Sequence, residues 1–235
     1  MTVVPTPAHR RHARPTWLAF LLLGVLLGAG GVLVFTLDES SDTAGGSGVP
    51  GRQARAVPAF SSVQLVGSNI VTVRVGGARS VIVRGDDNLL SHITTTVRSG
   101  RLVIGTTGSF STRRPMRVAV TVPSLVALGL GGSGIISAQG VHARSLRVTL
   151  SGSGVLRASG TADRLDVRLG GSGVAQLRDL VARDTHAVIT GSGRIDVTAT
   201  KGLDASIPGT GAIVYGGGPE RVTTSVSGTG AITRR

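Results

Sequence analysis

Hydrophobic and polar positions alternate in the second half of the chain, on both sides of a glycine triplet that occurs six times. The triplet is Gly-Ser-Gly or Gly-Thr-Gly, and successive copies are 20, 19, 20, 18 and 19 residues apart. Two, four and six residues before the triplet the chain is mostly apolar, as at Leu150, Val148 and Leu146 before Gly152. The second residue after each triplet is also apolar, and polar residues are common between these positions. A period of two predicts β-strands with one buried face.

The regular spacing of these strands predicts a repeat architecture. Each repeat of 19 to 20 residues contains a strand, the glycine turn, a second strand and a second turn. One repeat cannot bury its apolar face, but stacked repeats share a continuous core. The chain is therefore predicted to be all-β and to form a β-solenoid, or β-helix, whose coils pair in parallel about 4.8 Å apart. An antiparallel sandwich is the alternative, but it does not require the same residue type at each twentieth position.

An uncharged apolar stretch near the N-terminus predicts a membrane anchor. Residues 17–37 carry no charge, so a helix of this length would span about 31 Å, enough to cross the hydrocarbon core of a bilayer. Arginines precede the stretch and acidic residues follow it, which predicts a cytoplasmic N-terminus and an exported remainder. A cleaved signal peptide is the alternative, although its apolar region is usually only about 7–15 residues long.

These features divide the chain into four segments. Residues 1–16 are predicted to be a basic cytoplasmic tail, and residues 17–37 a transmembrane helix. Residues 38–58 are rich in Gly and Ser, with little apolar character, which predicts a flexible linker. Residues 59–235 are predicted to be the exported β-solenoid domain. The expected location is the cell membrane, with a single span and an extracytoplasmic C-terminal domain.

Residues 59–235 resemble a known bacterial family in the order of their motifs. Phe60-Ser-Ser-Val, Gly85-Asp-Asp-Asn-Leu-Leu and Val120-Thr-Val-Pro-Ser-Leu precede the glycine triplets, as in the head GIN domain family. The resemblance implies a β-helical fold and an adhesin-like role at the cell surface, and it supplies no catalytic residues. Arg84-Gly-Asp within this segment matches the integrin-type tripeptide, but the resemblance explains its last two residues as a turn.

Composition and spacing exclude several kinds of chemistry. The chain has no cysteine, which excludes disulfides, thiolate metal sites and cysteine nucleophiles. Aromatic residues make up 3% of the chain, too few for the stacking platforms of single-stranded nucleic-acid binders. The stretch 129–134 matches G-x-G-x-x-G, but a predicted strand follows it where a dinucleotide site needs a helix. We predict no cofactor, no metal and no nucleic-acid partner.

The remaining polar residues predict a protein without catalytic activity. The histidines of the exported domain lack the spacing of a metal site or of a serine hydrolase. Arg147, Asp166, His186 and Asp204 would form a ladder across neighbouring coils, which is typical of solvated ion pairs. A polysaccharide-active enzyme that uses Asp166 or Asp204 is the alternative.

The glycine triplets have a structural explanation. Glycine at both ends would permit a positive φ in a tight turn and a close approach of neighbouring turns. The central hydroxyl groups would form a ladder, bonded to the backbone of adjacent turns. Recognition of sugar hydroxyls by this edge is the alternative. The ladder consists of Ser133, Ser153, Ser172, Ser192, Thr210 and Thr229.

Net charge indicates the kind of ligand. The chain has a net charge of +13, and residues 59–235 contain 20 basic and 9 acidic residues. An anionic envelope polymer or glycan is therefore the predicted partner. Self-association of an open solenoid end into a homo-oligomer, as an envelope scaffold, is a further alternative. The candidate ligand-facing residues are Arg147, Arg157, Arg168 and Arg178.

Overall fold

The computed structural model of the protein describes residues 43–235, most of which lie in β-strands. The strands are β1 Ala44–Gly45, β2 Pro50–Ala54, β3 Ser62–Leu65, β4 Ile70–Val75, β5 Ser80–Asp86, β6 Ile93–Arg98, β7 Arg101–Thr106, β8 Phe110–Ser111, β9 Arg117–Val122, β10 Ala127–Leu130, β11 Ile135–Leu150, β12 Val155–Leu169, β13 Val174–Ile189, β14 Arg194–Ile207, β15 Ala212–Gly216, β16 Arg221–Val226 and β17 Ala231–Arg234. A 3₁₀ helix spans Asp87–His92.

The predicted membrane helix over residues 17–37 lies outside the described residues. The same holds for the predicted cytoplasmic tail, residues 1–16. Among residues 43–235, no helix has the length and apolar character needed to cross a membrane.

The strands stack as the coils of a parallel β-solenoid, which confirms the predicted all-β fold. Strands β11 to β14 each occupy most of one coil, and each pairs in parallel with the next. The segments that precede the glycine turns form one layer, in the order β7, β3, β10, β11, β12, β13, β14 and β16. The segments that follow the turns form a second layer, in the order β9, β4, β11, β12, β13, β14, β15 and β17.

The core lies between these two layers and contains the aliphatic positions that the alternation predicted. Leu130, Leu150, Leu169 and Ile189 stand opposite one another on successive strands, and none is more than 2% exposed. The outward positions near them are polar and exposed, as at Arg147. Each coil therefore buries apolar surface against the coils on both sides, which is the main favourable contribution to folding.

Differences in coil length are absorbed at the corner opposite the glycine turns. The register between β11 and β12 shifts between Ala138 and Val141, and the register between β12 and β13 shifts between Arg157 and Gly160. A bulged but continuous strand therefore stands where the sequence predicted a second turn. A bulge bends a strand locally and accommodates an extra residue. The glycine turns stay aligned although their spacing varies from 18 to 20 residues.

Two further coils lie before the glycine repeats, in a region where the sequence shows no regular period. β3 and β4 flank a turn at Gly67, whose backbone lies against Gly132 of the next coil. β7 and β9 form the coil beyond them, because β7 pairs with β3 and β9 pairs with β4. The order of these two coils in space is therefore the reverse of their order in the chain.

Antiparallel strands close the end of the solenoid that begins with β7 and β9. β6 pairs with β7, β5 pairs with β9, and β2 pairs with β5, all antiparallel. The 3₁₀ helix joins β5 to β6 and buries Leu89 and Leu90 in the core. We call β2, β5, β6 and the 3₁₀ helix the N-terminal cap. The cap covers strand edges that could otherwise pair with another chain.

The prediction of a flexible linker over residues 38–58 is wrong for its described part, residues 43–58. β2 lies within this part and pairs with β5. Arg55 Nη2 donates a hydrogen bond of 2.6 Å to the carbonyl oxygen of Leu90, and the Ser47 amide donates one of 2.9 Å to Asn88 Oδ1. Backbone pairing and polar contacts hold the segment in place, so it needs few apolar residues. Its composition therefore resembles that of a linker.

Candidate binding surfaces

The glycine turns form one edge of the solenoid, where neighbouring coils approach very closely. A Cβ at Gly152 would overlap the carbonyl oxygen of Gly132. A Cβ at Gly154 would overlap the carbonyl oxygen of Gly134 and lie 2.8 Å from Leu130 Cδ2. The triplet glycines are not among the residues with positive φ, so that predicted reason for glycine is wrong. The other predicted reason, close approach of neighbouring turns, is confirmed.

The central residues of the triplets form an exposed row of hydroxyl groups along this edge. Within the described residues, the one hydrogen bond of these hydroxyls runs from Thr210 Oγ1 to Ser192 Oγ, at 3.0 Å. The predicted bonds to the backbone of adjacent turns do not form in residues 43–235, so most of the hydroxyls face solvent without a protein partner. The exposed row is Ser133, Ser153, Ser172, Ser192, Thr210 and Thr229.

The four candidate ligand-facing arginines are exposed, but they do not share one surface. Arg147 and Arg168 lie in the layer that precedes the glycine turns, on the neighbouring strands β11 and β12. Arg157 and Arg178 lie in the layer that follows the turns, on β12 and β13. The four candidate arginines are therefore divided between two sides of the solenoid.

Several of these arginines already have a polar partner in the protein. Arg168 Nε donates a hydrogen bond of 3.1 Å to Asp166 Oδ1, and Arg157 Nε donates one of 2.7 Å to Gln176 Oε1. Arg178 Nε lies 3.8 Å from an Asp179 carboxylate oxygen. Exposed ion pairs contribute little to stability, but Asp166 and Asp179 offset the positive charge of Arg168 and Arg178.

The strongest pair of this type lies on β14. Arg194 Nη2 donates a hydrogen bond of 2.9 Å to Asp196 Oδ1, and Arg194 Nε donates one of 3.1 Å to the same oxygen. The hydrogen bonds and the negative charge of Asp196 raise the pKa of the Arg194 guanidinium above its ordinary value. This arginine is therefore already occupied by a carboxylate of its own strand.

A groove of about 530 Å³ on the outer side of the first layer is lined by three of the four residues of the predicted ladder, all except Arg147. Asp166, His186 and Asp204 stand directly opposite one another on β12, β13 and β14, as expected from the repeat. His186 Nδ1 lies 3.2 Å from Asp204 Oδ2, while Asp166 pairs with Arg168 of its own strand. Residues 43–235 contain no cluster of three metal-ligating side chains. The groove is thus lined by polar side chains that are paired with one another.

The Arg84-Gly-Asp tripeptide lies at the end of strand β5, where the resemblance had suggested a turn. The Asp86 side chain is fully buried and accepts hydrogen bonds from the backbone amides of Gly48, Arg113 and Arg114, at 3.2, 2.8 and 3.4 Å. A buried carboxylate cannot reach an external receptor, so Asp86 holds the loops around the cap together.

Sequence reasoning missed a group of basic residues on the N-terminal cap and on the adjoining strand β9. Arg52, Arg84 and Arg117 occupy directly opposed positions on β2, β5 and β9, and all three are exposed. They belong to separate segments of the chain, so no local period links them. The alternation within β5 and β9 would have shown that Arg84 and Arg117 point outwards, but β2 has no such alternation, and no pattern shows that the three are neighbours.

Comparison with known families and structures agrees with the observed fold. Residues 59–219 match the family described as "Putative auto-transporter adhesin, head GIN domain". A structure named as a putative adhesin from Bacteroides fragilis is 22% identical, covers 81% of this chain and 99% of its own, and superposes with a TM-score of 0.68. A structure named as a putative lipid binding protein from Parabacteroides distasonis is 23% identical, covers 82% and 99%, and has a TM-score of 0.52. At these identities the two structures show the fold alone. The comparison with curated proteins found no match.

Proposed function

The chain belongs to the head GIN domain family, and on this basis we propose that it is an adhesin-like binding module of the bacterial cell envelope, without catalytic activity. The proposed ligand is an anionic envelope polymer or glycan. The observation that carries the choice of ligand is the excess of positive charge on the solenoid: 20 basic and 9 acidic residues in 59–235. This excess consists almost entirely of arginine, whose planar guanidinium group suits phosphate and carboxylate ligands.

The geometry of the solenoid supports a polymer as the ligand. Parallel pairing places outward side chains at steps of about 4.8 Å along the axis, on a backbone that is hydrogen-bonded from coil to coil. A rigid, repeated surface can contact several units of a polymer at once, which raises the overall affinity beyond that of one contact. Asp166, one of the two carboxylates that the alternative hydrolytic function would use, is already paired with Arg168.

We expect the full-length protein to bind a phosphorylated envelope polymer more tightly than a neutral glycan, without any turnover of either. The affinity should fall about tenfold or more between about 50 and 200 mM salt, because the attraction is electrostatic and screened. Isothermal titration against poly(glycerol phosphate) and a neutral glycan would measure this, with reducing-end analysis of the glycan as the assay for cleavage. Equal binding to the neutral glycan, or release of new reducing ends, would contradict the proposal.

We also propose that residues 17–37 anchor the protein in the cell membrane, with residues 1–16 in the cytoplasm and residues 59–235 outside. The support is the uncharged apolar length of the segment and the arginines on its N-terminal side. An anchored module would hold the solenoid at the membrane surface while leaving its outward positions free for a ligand.

The proposed topology makes a direct prediction for intact cells. Protease treatment should remove a C-terminal epitope tag, while mass spectrometry of the remaining membrane fragment should find Met1 or Thr2 as its first residue. A cytoplasmic protein that stays intact controls for lysis. A mature N-terminus located after residue 37 would show that the apolar segment is cleaved, and would overturn the anchor.

A further inference from the structure

Three arginines stand side by side on the outer surface of two cap strands, β2 and β5, and of the adjoining coil strand β9. In the antiparallel pair of β2 and β5, Arg52 stands directly opposite Arg84, and in the pair of β5 and β9, Arg84 stands directly opposite Arg117. Directly opposed residues of an antiparallel pair point to the same side of the sheet. Adjacent strands are about 4.8 Å apart, so the backbone positions of the row span about 10 Å. We call these residues the arginine row.

The arginine row has no partner within the described part of the protein. No ion pair or hydrogen bond joins these guanidinium groups to another residue of 43–235. The carboxylate that follows Arg84 in the chain, Asp86, is buried and bonded to backbone amides. On the far side of Arg117 the row ends at Ile70 of β4, which is half-buried and uncharged.

This arrangement does not help the protein to fold. Like charges at directly opposed positions of neighbouring strands destabilise a sheet, and here three stand together. Elsewhere on the solenoid, arginines such as Arg168, Arg194 and Arg221 lie within 3.4 Å of a carboxylate oxygen. Some other arginines, such as Arg147, also lack a partner within residues 43–235, but Arg147 stands opposite Ala127 and Asp166. The arginine row differs because three like charges stand together, and an external anion bound there would offset their repulsion.

We propose that the arginine row is the site at which the protein binds the phosphate groups of an anionic envelope polymer. The proposal rests on the function proposed above and names its site. Guanidinium groups bind phosphate through two parallel hydrogen bonds, a geometry that lysine cannot provide. Three such groups on a rigid row can contact successive phosphates of one chain, whereas a free phosphate ion reaches fewer of them. The polymer therefore gains affinity from multiple contacts.

The test compares two full-length variants of equal charge in non-ionic detergent. The first carries Arg52→Gln, Arg84→Gln and Arg117→Gln. The control carries Arg101→Gln, Arg194→Gln and Arg221→Gln, which removes three exposed arginines that have partners inside the protein. Binding of poly(glycerol phosphate) is measured by isothermal titration at several salt concentrations, with inorganic phosphate and phosphatidylglycerol vesicles as additional probes.

We expect the first variant to lose about tenfold or more in affinity for the polymer, and the control less than about threefold. In single-stranded nucleic acids, each phosphate contact contributes about 0.7 to the slope of the logarithm of affinity against the logarithm of salt concentration. If the first variant loses three such contacts, its slope should be shallower by about 2. Its melting temperature should stay the same or rise, because the repulsion within the row is removed. Arg84→Lys, which keeps the charge, should lose affinity by about threefold because it cannot form two parallel hydrogen bonds.

Other results would overturn the site, and they differ from failure of the proposed function. Equal losses of polymer affinity in the two triple variants would show that net charge alone matters. Unchanged affinity in both variants would place the site elsewhere. In either case the proposal that the protein binds the polymer would still hold. If the wild-type protein bound none of the anionic polymers, the proposed function would fail together with the site. Tighter binding to the vesicles than to the polymer, lost in the first variant, would overturn the polymer as the source of the phosphate.

Discussion

Leu150→Asp is expected to unfold most of the solenoid, because it buries a charge at the centre of the stacked coils. Leu150 is 0% exposed and lies between Leu130 and Leu169 of the neighbouring strands. An unpaired carboxylate in such a position has no hydrogen-bond donor and cannot reach water. The loss should exceed about 4 kcal/mol, a large part of the stability of an ordinary domain. Circular dichroism during thermal unfolding would measure it.

Arg147→Asp is the matched control for this experiment, since it introduces the same side chain three residues away on the exposed side of β11. The new carboxylate would face Asp166 across the strand pair, so we expect a loss of less than about 1 kcal/mol. Equal tolerance of the two changes would contradict the assignment of buried and exposed positions along the coil. If both variants unfolded, the outer side of β11 would have to be packed against another part of the protein.

Gly154→Ala is expected to destabilise the protein by about 2–3 kcal/mol, even though alanine is usually neutral or better in a folded backbone. The added methyl group would overlap the carbonyl oxygen of Gly134 and crowd Leu130 Cδ2, which lies 2.8 Å from the Cβ position. Relief would require the two coils to separate, but the Gly154 amide is held to the carbonyl oxygen of Gly132 by a hydrogen bond of 3.1 Å. Urea denaturation would give the free energy of unfolding.

Gly170→Ala and Ser153→Ala serve as controls on the same edge. A Cβ at Gly170 would lie 3.6 Å from Thr190 Oγ1, an ordinary contact, and Gly170 is not among the glycines with positive φ. The Ser153 hydroxyl has no hydrogen-bond partner within residues 43–235. Both variants should stay within about 0.5 kcal/mol of the wild type, the usual range for surface changes. If Gly154→Ala were equally mild, close approach of the turns would not explain the triplets.

The surroundings of the candidate ligand-facing arginines were less predictable than the fold. The fold follows from a pattern along the chain, whereas these surroundings depend on contacts between separate strands. The arginines of the repeats, such as Arg147 and Arg157, follow a local period, so their outward direction could be read from the chain. Their separation into two layers and their pairing with residues such as Gln176 depend on which side chains meet across strands. A local period contains no information about the charge of a neighbour on another coil.

The sequence by itself determined the solenoid, its repeat and its buried columns, because polarity that alternates along each strand fixes which side faces the core. It predicted that the apolar positions before each triplet, such as Leu150, face the core, and Leu150 is 0% exposed. The tertiary structure alone decided the N-terminal part, where the coil of β7 and β9 lies outside that of β3 and β4. It also folded Pro50–Ala54 onto the cap and brought Arg52 beside Arg84. These placements depend on hydrogen bonds between backbone segments that are far apart in the chain, and such bonds leave no periodic pattern in the side chains.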